Sequence, residues 1–433
     1  MEKIHAQAAG IDIGSRQLFV GLEDGRVQSF GTFIIDLLAV AKFLSENGVV
    51  TVAMEATGVY WYLLYDILQE AGFDVWLVDG RETRQVPGRK TDVKDCQWIQ
   101  QLHSYGLLKR CYVPEGTVKE LRCYQRLRED HLRGASMHVQ HMQKALIEMN
   151  IRLPEVLSQI HGKSGMSMIT AILDGERNAH HLVALCTRDL RERKGEILLK
   201  ALEGHYTDYG LFALNQSYQS YLFYQKQIRE CDAKMDGLLR TINKDKTLPP
   251  GTGGGARKPI RHNRPQIVDL GPHLLKAFDG KDATRLPGIT DYNWLQLYSE
   301  LGADLSKWPS EKHFASWLGL SPGQHDSGKR KKNKSKGKPT VGQMFKEMAH
   351  GLLNSKYIGL GAFAKRIRGR KGPAIAIKAT ARKLAIQYWR LMVKGADFVE
   401  KGVEMYQQML KENRNRQLRK LATEFNVELV PIQ

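Results

Sequence analysis

The chain has 433 residues, with 65 Lys and Arg against 46 Asp and Glu, and its formal net charge is +19 at pH 7. This balance excludes an acidic solvating protein and predicts a polyanionic partner. No apolar run approaches the roughly 20 residues of a membrane span, and residues 1–5 lack the apolar core of a signal peptide, so we expect a cytosolic protein. The five cysteines form no CxxC pair, which argues against a disulfide framework and a zinc site.

The first 80 residues predict three strands followed by alternating helices and strands. We expect strands at 8–13, 17–22, 26–33, 49–54 and 73–78, and helices at 35–47 and 60–71. Three antiparallel strands followed by helix–strand alternation is the order of an RNase H-like domain. The sequence therefore predicts an α/β RNase H-like fold for residues 1–115.

Two long amphipathic helices are predicted next, over 118–150 and 211–242, from apolar residues at steps of three and four. They are able to pair as a coiled coil, within or between chains, so residues 116–245 form a predicted helical coiled-coil region. The Gly- and Pro-rich stretch 247–259 predicts a linker in an insert at 246–282. A mostly helical C-terminal domain at 283–400, with a late helix at 374–393, and a charged tail at 401–433 complete the chain.

The charge is unevenly placed. Residues 1–100 contain 14 acidic and 9 basic side chains, whereas residues 323–372 contain 14 Lys and Arg against Asp326 and Glu347 alone. The predicted nucleic-acid contacts in this basic run are Lys329, Arg330, Lys331, Lys332, Lys334, Lys336 and Lys338. The alternative is a solvated loop, but uncompensated like charge favours a bound polyanion.

Four carboxylates occupy positions that suit metal binding. Asp12 ends the first predicted strand and Glu55 ends the fourth, while Asp92 and Asp95 lie three residues apart on one face of a predicted helix. Strand ends and one helix face can bring four carboxylates to one pocket, as two divalent cations about 4 Å apart require. Singly, each residue could instead cap a turn or a helix; together they predict a two-metal site.

Six segments resemble the DEDD transposases of the insertion sequence 110 family. They are 10–15 (GIDIGS), 54–58 (MEATG), 90–95 (KTDVKD), 160–166 (IHGKSGM), 286–289 (LPGI) and 318–329 (LGLSPGQHDSGK). The length, the Ser-Pro-Gly element and the late helix sequence KATARKLA at 378–385 look most like the 1111 subgroup. The resemblance covers about residues 8–400.

This resemblance implies a RuvC-like N-terminal domain, a coiled-coil segment and a C-terminal transposase domain with an essential serine. Asp12, Glu55, Asp92 and Asp95 would then ligate Mg²⁺ or Mn²⁺, expected as two ions, and Ser327 would be the nucleophile that forms a transient phosphoserine bond. The implied partners are double-stranded DNA, a structured guide RNA (bridge RNA or seekRNA) and further copies of the chain in a homodimer or homotetramer. A bacterial cytoplasmic, nucleoid-associated protein is expected.

Two departures from the family pattern concern loops. Asp79-Gly80 stands where the family often has Asn-Pro, and Lys329 stands where a second glycine usually follows the serine. Gly328 still permits close backbone approach to a phosphate, and the neighbouring lysines favour a developing alkoxide. Ser321 and Ser335 are alternative nucleophiles.

The late helix adds three predicted phosphate contacts, since Lys378, Arg382 and Lys383 recur on one face. Tyr388 and Trp389 on this helix are expected in the core. The segment 286–289 could be a phosphate-binding hairpin turn or an ordinary helix connection.

Three other functions fit parts of the sequence. A metal-dependent nuclease or junction resolvase would use the same carboxylates with water as nucleophile. A sugar-kinase-like ATPase would use the 10–15 segment as a phosphate hairpin, but it leaves the basic remainder of the chain unexplained. A non-catalytic RNA chaperone would use the basic surface alone.

Overall fold

The structure is a computed structural model. It describes residues 2–83, 92–250, 252, 258–260, 262–322, 339–355, 359–396 and 403–428, with the backbone alone at 81–82, 92–93 and 403–404. The chain divides into two compact units, residues 1–113 and 114–433. In the described ranges, no helix is both long and apolar enough to cross a membrane.

The first unit is an α/β domain built on a mixed five-stranded sheet. Its strands are β1 (Ala8–Ile13), β2 (Leu18–Gly21), β3 (Val27–Phe30), β4 (Thr51–Glu55) and β5 (Asp74–Val78), and its helices are α1 (Ile34–Glu46), α2 (Trp61–Glu70), α3 (Gly80–Thr83) and α4 (Asp92–Ser104). The strand order is β3-β2-β1-β4-β5. The first three strands are antiparallel, and β1, β4 and β5 run parallel.

Helices cover both faces of this sheet. On one face, α1 and α2 bury Val40, Leu44 and Leu64 against strand residues that include Ile11 and Val52. On the other face, Ile99 and Leu102 of α4 pack with Ala53, Trp76 and Val78. Strands that run into a two-sided core need apolar residues on both faces, which explains the nearly continuous apolar runs of β1 and β4.

A buried histidine lies at the end of the sheet where β4 and β5 begin. The His103 side chain is fully buried, with Nε2 2.9 Å from the Thr51 hydroxyl oxygen. Its ring stacks on His5 with centroids 4.6 Å apart and lies 5.2 Å from the Trp76 ring. The pKa of His103 is lowered to about 4, mainly by burial and also by the charge of His5, while the charge of Asp74 opposes the shift.

This histidine makes the stability of the first unit dependent on pH. His103 takes up a proton near pH 6.5 in the unfolded chain and only near pH 4 in the folded chain. The free energy of unfolding is therefore highest above pH 6.5, and it decreases as the pH falls from 6.5 to 4, by about 3 kcal/mol at most. We expect urea unfolding, followed by circular dichroism, to show this loss, and His103→Gln to reduce it.

The control is His180→Gln, which removes an exposed imidazole from the second unit. An undiminished pH dependence in the His103 variant would contradict the assignment.

The second unit is helical in its described parts. Its helices are α5 (Gly116–Glu148), α6 (Leu153–Val156), α7 (Lys163–Leu173), α8 (Ala179–Ala184), α9 (Arg188–Leu202), α10 (Asp208–Ile242), α11 (Leu270–Ala277), α12 (Asp291–Leu301), α13 (Glu311–Trp317), α14 (Thr340–Leu352), α15 (Gly359–Lys371), α16 (Pro373–Lys394) and α17 (Val403–Glu424), with a 3-10 turn at Ala283–Arg285. Helix α11 lies within the predicted insert. Tyr388 and Trp389 are buried in α16, as expected.

A buried ion pair joins the two long helices α5 and α10, which pack against each other within one chain. Arg128 Nε donates to Asp232 Oδ1 at 2.6 Å, and each side chain is 1% exposed. The second Asp232 oxygen accepts from the backbone N–H of Gln266 at 2.9 Å, and Arg128 also donates to the Tyr292 hydroxyl at 2.8 Å. Because buried charges are tolerated only with such bonding, the pair fixes how α5, α10, α12 and the chain near residue 266 come together.

A lysine ammonium organises the turn before α12. Lys258 Nζ donates to the carbonyl oxygens of Thr284, Leu286 and Ile289, at 2.6 Å from Thr284 and 3.3 Å from Ile289, and burial lowers its pKa. Gly288 has φ +81° and lies against α14, where an added Cβ would be 3.2 Å from the Leu352 side chain. The turn is thus packed on both sides, as an ordinary helix connection would be.

Candidate active site at the carboxyl end of the sheet

Asp12 and Glu55 lie next to each other at the end of two parallel strands. Ile11 of β1 pairs with Met54 of β4. Asp12 directly follows Ile11 in the chain, and Glu55 directly follows Met54. Gly10, two residues before Asp12, pairs with Ala53, two residues before Glu55. Because side chains alternate along a strand, both carboxylates extend from the same face of the sheet.

Helix α4 covers this face in direct backbone contact with β1. A Cβ on Gly10 would overlap the carbonyl oxygen of Cys96 and the backbone nitrogen of Gln100. Gly21, which pairs with Gly10 across β1 and β2, faces the same helix, and its Cβ would be 3.0 Å from the backbone nitrogen of Gln97. These two glycines therefore set the close approach of α4 to the strand that carries Asp12.

Asp95 lies on α4, the helix whose backbone contacts β1 at Gly10. The pKa of the Cys96 thiol, the next residue on this helix, is raised to about 12, mainly by burial and to a smaller extent by the negative charges of Asp12 and Asp95. The backbone of α4 begins at Asp92, one helical turn before Asp95; the Asp92 side chain lies outside the described part of the chain.

Glu55 is held by residues that sequence reasoning missed. Its Oε2 accepts a hydrogen bond from the Thr83 hydroxyl at 2.9 Å, and Thr57 donates to Oε1 at 3.4 Å. Gly80 lies so close that a Cβ there would overlap the Glu55 carboxylate. Trp98 Nε1 on α4 donates to the Thr83 carbonyl at 3.0 Å, which links α3 to α4. In the sequence, the indication that another group approaches the chain closely here was Gly80, which follows β5.

The donor chemistry of this edge fits a hard divalent cation. Asp12, Glu55 and Asp95 supply only carboxylate oxygens, the ligands that Mg²⁺ and Mn²⁺ take. Among the residues whose side chains are described, no group of three or more His, Cys, Asp or Glu is arranged to hold a metal ion. Asp12, Glu55 and Asp95 are among those side chains, so the structure does not bring these three carboxylates together into one ligand group. The fourth predicted ligand, Asp92, lies outside the described side chains.

The predicted serine lies outside the described residues, but its flanks are closely packed together. Ser327 and the predicted basic contacts 329–338 fall between α13 and α14, in 323–338. A Cβ on Gly342 would overlap the Leu318 carbonyl oxygen, and one on Gly319 would be 3.2 Å from Pro339. Residues 318–319 and 339–342, which flank the segment that contains Ser327, are therefore neighbours in the structure.

The three predicted contacts on α16 differ in exposure. Lys378 is exposed, whereas Arg382 and Lys383 are partly buried. Lys383 Nζ is 5.2 Å from the ring centroids of both Phe363 and Tyr406. This ammonium is stabilised inside the chain by two aromatic rings.

Two family models match the chain. One, described as a transposase and built on DEDD transposases of IS110, matches residues 9–151. The other, described as the transposase IS116/IS110/IS902 family, matches residues 281–357. The chain carries the transposase domains of the IS110 family. No curated protein matches it.

The two IS110-family matches contain all the predicted catalytic positions. Asp12, Glu55, Asp92 and Asp95 lie within the first match, and Ser327 lies within the second. DNA is the substrate of a transposase, so the polyanionic partner expected from the charge includes DNA.

The glycine contact under α4 is testable by one substitution. Gly10→Ala places a methyl group against helix backbone that cannot rotate away, and overpacking of this kind costs about 1–3 kcal/mol. We expect a lower urea midpoint and a larger loss of DNA cleavage than the stability change explains, because α4 carries Asp95.

The matched control is Gly237→Ala in α10, where an added Cβ meets nothing within 4 Å. Alanine is favoured there by about 1 kcal/mol as a helix former. Equal stability of the Gly10 variant and wild type would contradict the close contact.

Proposed function

We propose that this chain is a metal-dependent DNA recombinase that excises and inserts a mobile element through a serine–DNA intermediate. The observation that carries the proposal is the placement of Asp12 and Glu55 on one face at the carboxyl end of neighbouring parallel strands. Asp95 supports it as a residue of the covering helix α4, whose backbone contacts Gly10 on the strand that carries Asp12. In this proposal the first unit is RNase H-like, or RuvC-like, in function as well as in element order.

Asp12, Glu55, Asp92 and Asp95 would hold two Mg²⁺ or Mn²⁺ ions. When bound, such ions neutralise charge on a phosphodiester and lower the cost of deprotonating an attacking oxygen. The chain's own contribution is orientation. Thr83 and Gly80 hold the Glu55 carboxylate in place, and the backbone contact of α4 with Gly10 holds Asp95 against the strand that carries Asp12.

Ser327 is the proposed nucleophile. Its hydroxyl oxygen forms a bond to phosphorus, the bond from phosphorus to one sugar oxygen breaks, and that oxygen leaves with a proton. The phosphodiester energy is kept in the serine–phosphate bond, so the strand can be rejoined to a new end. The packing of Leu318 against Gly342 supports this role, since it anchors both ends of the segment that contains the serine.

The proposal includes a structured guide RNA and a homodimer or homotetramer as partners. Support for the RNA comes from the resemblance of the sequence segments to the family. It also comes from the net charge of +19, which a polyanionic partner would offset. The basic segment 329–338 and Lys378 and Arg382 would contact nucleic-acid phosphates.

The metal ligands are tested by Asp12→Asn and Glu55→Gln, which keep the side-chain size and remove the charge. We expect Mg²⁺-dependent cleavage of element-end DNA to fall at least about 100-fold, equivalent to about 2.7 kcal/mol of transition-state stabilisation. DNA binding, measured by fluorescence anisotropy, should be unchanged or tighter.

The control is Asp24→Asn, which removes an exposed carboxylate paired with Arg26 in the same unit. Cleavage by the Asp12 or Glu55 variant at the wild-type rate would refute the two-metal site.

The serine is tested by Ser327→Ala, with Ser321→Ala and Ser335→Ala as controls. We expect the first variant to lose both strand exchange and the covalent protein–DNA adduct, detected as a slower band on a denaturing gel, while the controls keep both. If Ser327→Ala cleaves DNA at the wild-type rate, water is the nucleophile and the protein is a nuclease or resolvase.

A further inference from the structure

A long part of the second unit contains basic residues and no acidic residue. Between Glu347 and Asp397 the chain has 49 residues, of which 11 are Lys or Arg and none is Asp or Glu. Helices α15 and α16 make up most of this stretch and are joined by Gly372 alone. Such an excess of one sign destabilises a folded chain unless something outside the stretch offsets it.

Some of these cations are satisfied within the unit. Arg390 donates to Glu311 Oε1 at 2.8 Å, and Lys394 Nζ lies 3.9 Å from Oε2 of the same carboxylate. Arg366 lies 5.9 Å from the Phe363 ring centroid, and Lys383 packs on the same ring. These four side chains belong to the packing of α13, α15, α16 and α17.

The cations at the junction of the two helices are different. We define the basic corner as Arg368, Gly369, Arg370, Lys371 and Gly372. Its three cationic side chains are exposed, and Arg368 donates to the neutral Asn354 Oδ1 at 3.1 Å. Among the described residues, none of the three cations forms an ion pair.

The two glycines of the corner leave its backbone open. An added Cβ on Gly369 or Gly372 would meet nothing within 4 Å, and Gly372 has φ +83°. At these two glycines, therefore, no described side chain packs over the turn from α15 to α16. Absence of Cβ atoms allows a polyanion backbone to approach closely.

The helix dipole alone does not explain this composition. Cations near a helix C-terminus are stabilising, but exposed arginines elsewhere on this chain also have acidic partners, as the first turns of α9 show. There Arg188 pairs with Glu192 and Arg193 with Asp189, each four residues apart. Among the described residues, no acid pairs with the basic corner in this way.

We propose that the basic corner binds the phosphate backbone of duplex DNA. This inference rests on the proposed function, since it takes DNA as the ligand, and it adds a contact surface that the sequence motifs did not identify. Arginine suits the task because its planar guanidinium donates two parallel hydrogen bonds to phosphate oxygens. Lys378, in the second turn of α16, is also exposed.

The test uses the full-length chain with the triple substitution Arg368→Gln, Arg370→Gln and Lys371→Gln. The matched control is Arg188→Gln, Arg191→Gln and Arg193→Gln on α9, which removes the same charge from exposed positions. Fluorescence anisotropy with a labelled duplex DNA, repeated across about 50 to 200 mM salt, gives the salt dependence of affinity.

Each lost phosphate contact lowers the slope of log affinity against log salt by about 0.9, so we expect the corner variant to lose about 2 to 3 from this slope. Its affinity at low salt should fall at least about ten-fold, while the control keeps the wild-type slope. Thermal unfolding by circular dichroism should be alike for all three proteins, because the substituted side chains are exposed.

Three outcomes would overturn the proposal. They are a wild-type slope in the corner variant, an equal loss in the control, or a loss seen with an RNA duplex and not with DNA, which would assign the surface to RNA. A DNA cleavage assay on the same proteins separates this inference from the proposed function. If the corner variant binds and cleaves DNA like the wild type, the proposed role of the basic corner is rejected and the proposed function stands. If the corner variant binds DNA more weakly but no protein, wild type included, cleaves DNA, the proposed function is rejected and the DNA contact stands.

Discussion

The candidate active site depends on one constraint, the backbone contact between α4 and β1. A helix normally stands away from a sheet by the thickness of two side-chain layers, but Gly10 and Gly21 remove one layer beneath Cys96 and Gln97. The carboxylates therefore come from rigid elements rather than from a flexible loop. Rigid support of this kind is what metal-assisted chemistry needs, because small displacements of a ligand are costly.

The second unit is organised by charges that are buried and fully bonded. Arg128 and Asp232 connect the long helices to α12 and to the chain near residue 266, and every bond is supplied by a different element. Exposed cations, by contrast, gather where α15 meets α16. Arg128 and Asp232 thus serve the packing of the unit, whereas in our proposal the cations of the basic corner bind DNA phosphates.

The strands of the first unit were predicted from the sequence, and so was the position of Asp12 and Glu55 at the ends of two of them. This was possible because alternating and continuous apolar runs are local properties of the sequence. It could not predict that Thr83 holds Glu55, since these residues are 28 positions apart and meet only when α3 follows β5. Asp232 reads as a solvated residue on an amphipathic helix, and its burial depends on Arg128, 104 positions away. Helix α11 was missed because the glycines before it dominated the composition of the insert.

The Lys258 ammonium has a further consequence for the turn before α12. Carbonyl oxygens that converge on one point repel one another unless a donor or a cation lies between them. Here Thr284, Leu286 and Ile289 direct their carbonyls at a cation that is part of the chain. The cation at the centre of this turn is therefore covalently attached to the chain, and its contacts form as part of the fold.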